Sequence, residues 1–282
     1  MRREAHVRQE NLTLSELVFI GLGLGSERSM PVVGLDMARK ADLVFAEFYT
    51  SLMPGLDLAN LQEMIGKSIM VLSRSDVEEH AEKKLLDQIS GKNAVFLVPG
   101  DPMIATTHID LRLRAEKAGI KTDVIPAASI FSAVCALTGL QAYKFGRTVT
   151  LPHVDSKSPP ESPYEYIRAN LEIGLHTLIL LDLVAERRYY MTISEGLEYL
   201  SRIESNRKEG VIRDDAIFVG VARAGIEDAM VKTGAMNDLR RANFGGPPHC
   251  LIMPSKLHFM EAEALQVLTG ATPEILRPHI SR

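Results

Sequence analysis

Three glycines directly follow a short apolar run near the start of the chain. Leu17–Ile20 contains only apolar residues, and Gly21-Leu22-Gly23-Leu24-Gly25 comes next. Buried strands of parallel sheets read as such continuous apolar runs. Glycine at the carboxyl end of a strand lets the backbone approach a ligand closely. The segment therefore predicts a strand that leads into a nucleotide-type binding site.

An acidic residue stands at the spacing that dinucleotide-binding enzymes use. Glu47 ends the second predicted strand, 22 residues after Gly25, where a dehydrogenase would hold the ribose of its cofactor. The glycine spacing is G-x-G-x-G rather than G-x-G-x-x-G, and the first predicted helix begins only at Val32. No helix N-terminus therefore lies directly at a pyrophosphate. A nicotinamide-dependent oxidoreductase stays an alternative that the late helix disfavours.

Two further predicted turns carry polar groups that could bind a ligand. The apolar run Phe96–Val98 ends in Pro99-Gly100-Asp101-Pro102, where Asp101 could cap the following backbone or offer its carboxylate to a ribose or amine. Ser129 follows a run of small residues and could be the N-cap of a helix or part of a site. Ligand sites of parallel α/β folds lie at the carboxyl ends of strands, so both turns indicate one cleft.

Three more turns lie at the ends of predicted strands in the second half of the chain. They are the end of Leu178–Leu181 at Asp182, the segment Val221–Gly225, and Gly245–His249. The sequence contains no phosphate-binding P-loop, no nucleophile elbow and no His, Cys and carboxylate cluster at metal spacing. The predicted site therefore positions a cofactor that carries its own reactivity, and no metal is expected.

Strands alternating with helices are expected to position these turns. The predicted strands of the first half are Leu17–Ile20, Leu43–Ala46, Ser68–Leu72, Ala94–Val98 and Thr122–Ile125. Their alternation with helical patterns, such as Asp76–Ile89, predicts a mainly parallel sheet. In the second half a long helix is predicted over Tyr189–Ser205. The strands predicted at 216–221, 229–233 and 250–253 have little helix between the first two, which favours a mixed sheet.

Composition excludes several classes of partner. The 282 residues carry a net charge of −4 and no tryptophan, so nucleic-acid binding is not expected. No run is apolar and long enough for a membrane span. Cys135 and Cys250 form no disulfide framework, which fits a reducing cytosol. Residues 1–14 are polar and predict a flexible N-terminal extension.

Several motifs together resemble the diphthine synthases, over nearly all of the chain after the N-terminal extension. The Gly-Asp-Pro turn alone resembles the wider tetrapyrrole-methylase-like superfamily, whereas the A-E-F-Y-T-S and A-T-T-H strings are similar to the diphthine branch. The matching segments are Gly21–Gly25, Phe45–Ser51, Pro99–Pro102, Ala105–His108, Ser129-Ile130, Tyr143–Gly146, Gly174–Leu178, Ala222–Gly225 and Pro247–His249.

This resemblance implies an α/β fold with two domains of the tetrapyrrole methylase type, a mainly parallel N-terminal sheet and a mixed C-terminal sheet. The domains would span residues 15–128 and 129–282, with the cofactor cleft between them. The resemblance implies S-adenosyl-L-methionine as the methyl donor and S-adenosyl-L-homocysteine as the product. The positions that match cofactor-binding residues of the family are Leu24, Asp101, Ile104, Ser129, Ile130, Leu181, Ala224 and His249.

The implied reaction is repeated methylation of the amine of a 3-amino-3-carboxypropyl-histidine on translation elongation factor 2, which gives diphthine. A cytoplasmic homodimer is implied. An ammonium cannot attack a methyl group, and the base that deprotonates it stays open between water and a carboxylate such as Asp182 or Glu186. The alternatives are a methylase of a tetrapyrrole such as a corrin precursor, the oxidoreductase, and a non-catalytic nucleoside-binding module.

Overall fold

The structure, a computed structural model, describes residues 15–153 and 159–281. The predicted extension over residues 1–14 lies outside the described residues. The strands are β1 (Glu16–Gly21), β2 (Leu43–Glu47), β3 (Met70–Leu72), β4 (Asn93–Val98), β5 (Lys121–Ile125), β6 (Val149–Leu151), β7 (Thr177–Leu181), β8 (Leu183–Val184), β9 (Tyr189–Tyr190), β10 (Ile217–Ala222), β11 (Met230–Ala235) and β12 (His249–Met253).

The α-helices alternate with these strands in the first half and cover both sheets. They are α1 (Val32–Lys40), α2 (Leu58–Ile65), α3 (Arg74–Glu78), α4 (Ala81–Lys84), α5 (His108–Lys117), α6 (Ile130–Thr138), α7 (Ser162–Glu172), α8 (Ile193–Arg207), α9 (Met236–Arg241), α10 (Phe259–Thr269) and α11 (Pro273–Leu276). Among the described residues, no helix has the length and apolar character needed to cross a membrane.

The first sheet is parallel throughout, with strand order β3-β2-β4-β1-β5. Its strands are apolar on both faces because helices cover both sides. In β1, Leu17 and Phe19 pack into one core cluster, and Val18 and Ile20 pack into the cluster on the opposite face. The ring of Phe19 meets that of Phe96 edge to face, 5.8 Å between centroids. All five strands predicted in the first half are confirmed.

The second sheet is mixed, as predicted, with strand order β11-β10-β12-β7-β6. Strand β10 pairs antiparallel with β11 and β12, β12 pairs antiparallel with β7, and only the β6–β7 pair is parallel. Leu181, Phe218 and Leu251 belong to the core cluster on one face, and Val219 and Ile252 to the cluster on the other. The carboxyl edge of the parallel sheet and this second sheet together form the site described below.

Two predicted helices are wrong in their extent. The predicted helix over Asp76–Ile89 is split, because Ser73 caps α3 early and the N–H groups of Glu79 and His80 both donate to Ser75 O, at 3.0 and 3.1 Å, and end it.

The predicted helix over Tyr189–Ser205 begins later than expected. Its first residues form β9, which pairs with β8. Thr192 and Glu195 then form the capping box from which α8 starts at Ile193.

A fully buried carboxylate joins α10 to the segment before β6. Glu261 accepts hydrogen bonds from Gln141 N at 2.9 Å, His258 N at 2.8 Å, His176 Nε2 at 3.0 Å and the ammonium of Lys144. Burial alone would raise the pKa of Glu261, but the hydrogen bonds from His176 and Lys144 outweigh it and lower the pKa to about 2. The ionised carboxylate therefore stabilises the folded chain.

We expect Glu261→Ala to lower the free energy of unfolding by about 3–5 kcal/mol at pH 7, because it leaves fully buried His176 and half-buried Lys144 and Gln141 N without their acceptor. Urea unfolding would measure the loss, and Glu263→Ala on the exposed face of α10 is the matched control. Since the folded-state pKa lies below the unfolded one, the deficit should shrink as the pH falls from about 4.5 towards 2. A deficit that does not change over this range would contradict the assignment.

Candidate active site

A cavity of about 400 Å³ lies at the carboxyl edge of the parallel sheet. The turns after β1, β2 and β4 and the start of α6 form one side, and residues of β7, β10 and β12 form the other. Cavities of this size at this edge of a parallel sheet typically bind small molecules or cofactors. The mixed sheet closes the cavity from the opposite side, so neither half of the chain forms it alone.

All eight residues that the sequence predicts at a cofactor site line this one cavity. They come from six separate segments of the chain, which the fold brings together. They are Leu24, Asp101, Ile104, Ser129, Ile130, Leu181, Ala224 and His249.

Glycine backbones set the spacing of the cavity walls. Gly23 and Gly100 exchange two backbone hydrogen bonds, of 3.1 and 2.8 Å, which join the turns after β1 and β4. Both have positive φ, +73° and +68°, which glycine adopts without strain. Gly25 meets Gly225 of the second half so closely that a Cβ on Gly25 would collide with the Gly225 carbonyl oxygen.

Asp101 ties two walls of the cavity together. Its Oδ1 accepts a hydrogen bond from Met103 N at 2.9 Å, and its Oδ2 accepts one from Ala127 N at 3.2 Å. The bond from Met103 N is the cap expected from the sequence. The bond from Ala127 N connects Asp101 to the segment before α6. Ser129 stands at the N-cap position of α6, as expected. The Asp101 carboxylate thus holds the turn after β4 against α6.

His249 is held in one tautomer at the cavity wall. Ile193 N donates to Nδ1 at 3.3 Å, so the ring proton lies on Nε2, which donates to Gly246 O at 3.0 Å. Burial lowers the pKa of His249, and the neighbouring charge of Arg223 lowers it further. The ring is therefore a neutral, fixed surface.

Arg223 fixes the loop that carries His249, a role that sequence reasoning missed. Its guanidinium donates to Phe244 O at 2.5 Å, Gly246 O at 2.7 Å, Asp228 O at 2.9 Å and Asp228 Oδ2 at 2.7 Å. The side chain is buried, and the backbone adopts a φ of +51°. The sequence signal that could have indicated this role is a charged residue, Arg223, between two alanines at the end of a strand.

Glu47 does not line the cavity. The residue is fully buried and accepts hydrogen bonds from Tyr49 N at 2.8 Å, Thr50 N at 3.0 Å and the Thr50 hydroxyl. Burial raises its pKa to about 7. The hypothesis that Glu47 holds a ribose is wrong, because its oxygens are used to fold the turn that presents Tyr49 and Thr50 to the cavity.

Of the two carboxylates considered as the base that deprotonates the amine, only Asp182 lies at the cavity. Asp182 lines the cavity, but His153 N and Leu183 N donate to its two oxygens at 2.7 and 2.9 Å. Glu186 lies in a short 3₁₀ turn and does not line the cavity. The geometry therefore gives Asp182 a role in holding its loop and leaves the base unassigned.

The cavity has a second, polar end that sequence reasoning also missed. Tyr49, Arg74, Glu78 and Thr107 line it, from the segments after β2 and β3 and before α5. Tyr49 belongs to a motif that carries the resemblance, but nothing in the pattern singled out Arg74 or Glu78. Their position becomes visible only once α3 is seen to begin at Arg74.

Comparisons with known proteins agree with this architecture. The family of tetrapyrrole (corrin/porphyrin) methylases matches residues 16–240. The diphthine synthase of Methanocella arvoryzae is 49% identical over 90% of this chain and 98% of its own length. That of Methanosarcina barkeri is 47% identical over 90% and 96%. A crystal structure of diphthine synthase superposes with a TM-score of 0.83 at 39% identity, covering 93% of this chain and 99% of the other.

The fold, the cavity between the sheets and these matches define the class: the chain belongs to the tetrapyrrole methylase family. Within that family it groups with the diphthine synthases. The predicted fold class and the predicted methyltransferase activity are confirmed by this membership, and the oxidoreductase and corrin-precursor alternatives are not favoured.

The burial of Glu47 predicts a pH dependence of stability. Because its folded-state pKa of about 7 lies above the unfolded value of 4.5, the protein should lose stability as the pH rises from 4.5 through 7. Glu47→Gln should remove about 3 kcal/mol of that loss. Urea unfolding between pH 4.5 and 8 would measure it, with Glu63→Gln on the exposed face of α2 as control. If the free energy of unfolding changes with pH in the same way in wild type and in Glu47→Gln, the prediction is wrong.

Loss of the Arg223 guanidinium should loosen the loop before β12. We expect Arg223→Met to lower the free energy of unfolding by about 2–4 kcal/mol, since the buried carbonyl oxygen of Phe244 and two part-buried ones lose their donor. Arg241→Met, at the exposed end of α9, should change it by less than about 0.5 kcal/mol. Thermal or urea unfolding compares the stabilities of the two variants. Equal losses would show that the hydrogen bonds of the Arg223 guanidinium contribute nothing.

Proposed function

We propose that this chain uses S-adenosyl-L-methionine to methylate repeatedly the amine of a 3-amino-3-carboxypropyl-histidine on translation elongation factor 2, giving diphthine. The observation that carries the proposal is that the eight residues implied by the family resemblance, from six segments of the chain, line one cavity. Membership among the diphthine synthases supports the choice of acceptor.

The residues of the cavity fit this cofactor. Gly100, with φ +68°, presents a bare backbone, and the nearest atom to a Cβ built there is Ser129 Cβ at 4.0 Å. A side chain would enter the space that a ligand needs. Ala105, also on the wall, has a φ of +55°, a strained backbone of the kind that clusters at binding sites. Leu24, Ile130 and Leu181 supply apolar surface for the nucleoside and the methionine chain.

The reaction requires no covalent catalysis by a side chain of the protein. The bound cofactor supplies a methyl group on a sulfonium sulfur, which is already activated for displacement. The chain would hold the acceptor amine against that methyl group and exclude water. Each methylation would require the amine to release one proton, to water or to a base, so that its lone pair could accept the methyl group. Neutral His249 and the fully bonded Asp101 keep the walls fixed during this step.

We also propose that the chain acts in the cytoplasm as a homodimer, with domains at 15–128 and 129–282. The strands of the parallel sheet all precede residue 128, and those of the mixed sheet all follow it. The two cysteines are free, which suits a reducing compartment.

A pair of glycine variants tests where the cofactor binds. Gly100→Leu places a side chain in the cavity, whereas Gly119→Leu imposes the same left-handed backbone strain at an exposed turn with nothing within 4 Å. Both should lose about 1–2 kcal/mol of stability. Only Gly100→Leu should weaken binding of S-adenosylhomocysteine, by tenfold or more, in calorimetry. Equal affinities for the two variants would place the cofactor elsewhere.

Transfer of labelled methyl groups tests the acceptor. The wild-type chain should label elongation factor 2 that carries the unmethylated 3-amino-3-carboxypropyl group, and mass spectrometry counts the methyl groups added. A corrin precursor serves as the competing acceptor. Labelling of the precursor alone would overturn the proposed substrate. Binding of S-adenosylhomocysteine without any transfer would favour a binding module.

A further inference from the structure

The charged residues at the polar end of the cavity come from a different segment than the residues predicted to hold the cofactor. Those residues of the first half follow β1 and β4 or lie near α6, whereas Arg74 and Glu78 follow β3 at the edge of the sheet. Strand β2 separates β3 from β4, so the two ends are about 10 Å apart across the strands. The charged pair Arg74 and Glu78 therefore lies on a different part of the cavity wall from the residues predicted to hold the cofactor.

Charge distinguishes this end of the cavity. Within the described lining, Arg74 is the only Lys or Arg side chain, and its three carboxylates belong to Glu78, Asp101 and Asp182. Both oxygens of Asp101 and both of Asp182 already accept backbone hydrogen bonds. The two charged groups that remain to meet a ligand are thus a guanidinium and a neighbouring carboxylate.

Arg74 is held in place, and most of its N–H donors stay available to a ligand. Its Nη1 lies 3.5 Å from Glu78 Oε1, a long contact, and its Cζ lies 5.0 Å from the centre of the Tyr49 ring. Thr107 fixes Glu78 by donating to the same Oε1 at 3.1 Å. A guanidinium has five N–H donors in a planar fork that matches a carboxylate, so this contact leaves most of them for a ligand.

The Tyr49 ring under Arg74 is itself fixed. Its hydroxyl lies 3.3 Å from Nε2 of fully buried His108, whose Nδ1 lies 3.1 Å from Pro102 O. The Nδ1 proton therefore donates to Pro102 O, and Tyr49 donates to Nε2. This chain of bonds connects the platform beneath Arg74 with the turn after β4 that contains Asp101.

We propose that Arg74 binds the free carboxylate of the acceptor's 3-amino-3-carboxypropyl group, with Glu78 and Tyr49 as positioning residues for its guanidinium. This inference rests on the proposed function. A carboxylate held at the β3 end leaves the amine of the same group directed towards the cofactor residues. The site thereby selects an acceptor with an ionised α-carboxylate and rejects one in which that group is a neutral amide, because the guanidinium would lose its ionic partner.

The test separates acceptor binding from cofactor binding. For Arg74→Gln we expect kcat/KM for aminocarboxypropylated elongation factor 2 to fall about 10- to 100-fold, with the Kd for S-adenosylhomocysteine unchanged. Arg74→Lys keeps the charge but not the fork and should recover part of the loss. Lys83→Gln removes one positive charge from the exposed surface nearby and should keep wild-type kinetics. Because Arg74 is exposed, none of these variants should change the melting temperature by more than a few degrees.

The possible results are distinct. If Arg74→Gln weakens S-adenosylhomocysteine by the same factor as kcat/KM, Arg74 binds the carboxylate of the cofactor and the inference is overturned. Unchanged kinetics in Arg74→Gln, with an active wild type, would overturn the inference alone. A wild-type chain that binds the cofactor but never labels elongation factor 2 would overturn the proposed function and the acceptor subsite with it.

Discussion

Backbone packed directly against backbone sets the width of the cavity, and glycine occupies each point of contact. Gly23 and Gly100 exchange hydrogen bonds across the turns after β1 and β4. Gly25 and Gly225 touch where the first half of the chain meets the second, and a Cβ on Gly225 would lie 2.5 Å from Leu24 Cβ. Real Cβ atoms do not approach so closely. The positions of Leu24 and Ala224 on opposite walls follow from these contacts.

Buried and half-buried polar groups then fix the loops that the glycines bring together. The carboxylates of Glu47, Asp101 and Asp182 accept hydrogen bonds from backbone N–H groups, and the guanidinium of Arg223 donates to carbonyl oxygens and to the Asp228 carboxylate. A polar group removed from water is costly unless it is hydrogen-bonded, so each of these groups favours one loop geometry. The walls of the cavity are consequently rigid, and little charge is left on them except at the β3 end.

The sequence made the parallel sheet and the cofactor end of the cavity predictable, because apolar runs mark buried strands and their carboxyl ends converge. The rest depends on contacts that no local pattern records. Arg74 enters the cavity only because Ser73 caps α3 early, and two of the partners of Arg223, Phe244 and Gly246, lie more than twenty residues away. The spacing of Glu47 from the glycines matches that of a ribose-binding acid, which made its predicted role wrong. In the fold Glu47 is buried, and its oxygens accept hydrogen bonds from the backbone of the turn that follows it.

One part of the cavity is formed mainly by main chain and aliphatic groups, with the polar side chains of Asp101 and His249 fixed by backbone hydrogen bonds, and the other part presents the charged side chains of Arg74 and Glu78. Substitution cannot alter main-chain atoms, so the first part resists evolutionary drift. Arg74 and Glu78 stand on a helix of five residues at the sheet edge, where changes cost the core little. A substitution at Arg74 or Glu78 therefore changes the charge at one end of the cavity and leaves the backbone that forms the other end unaltered.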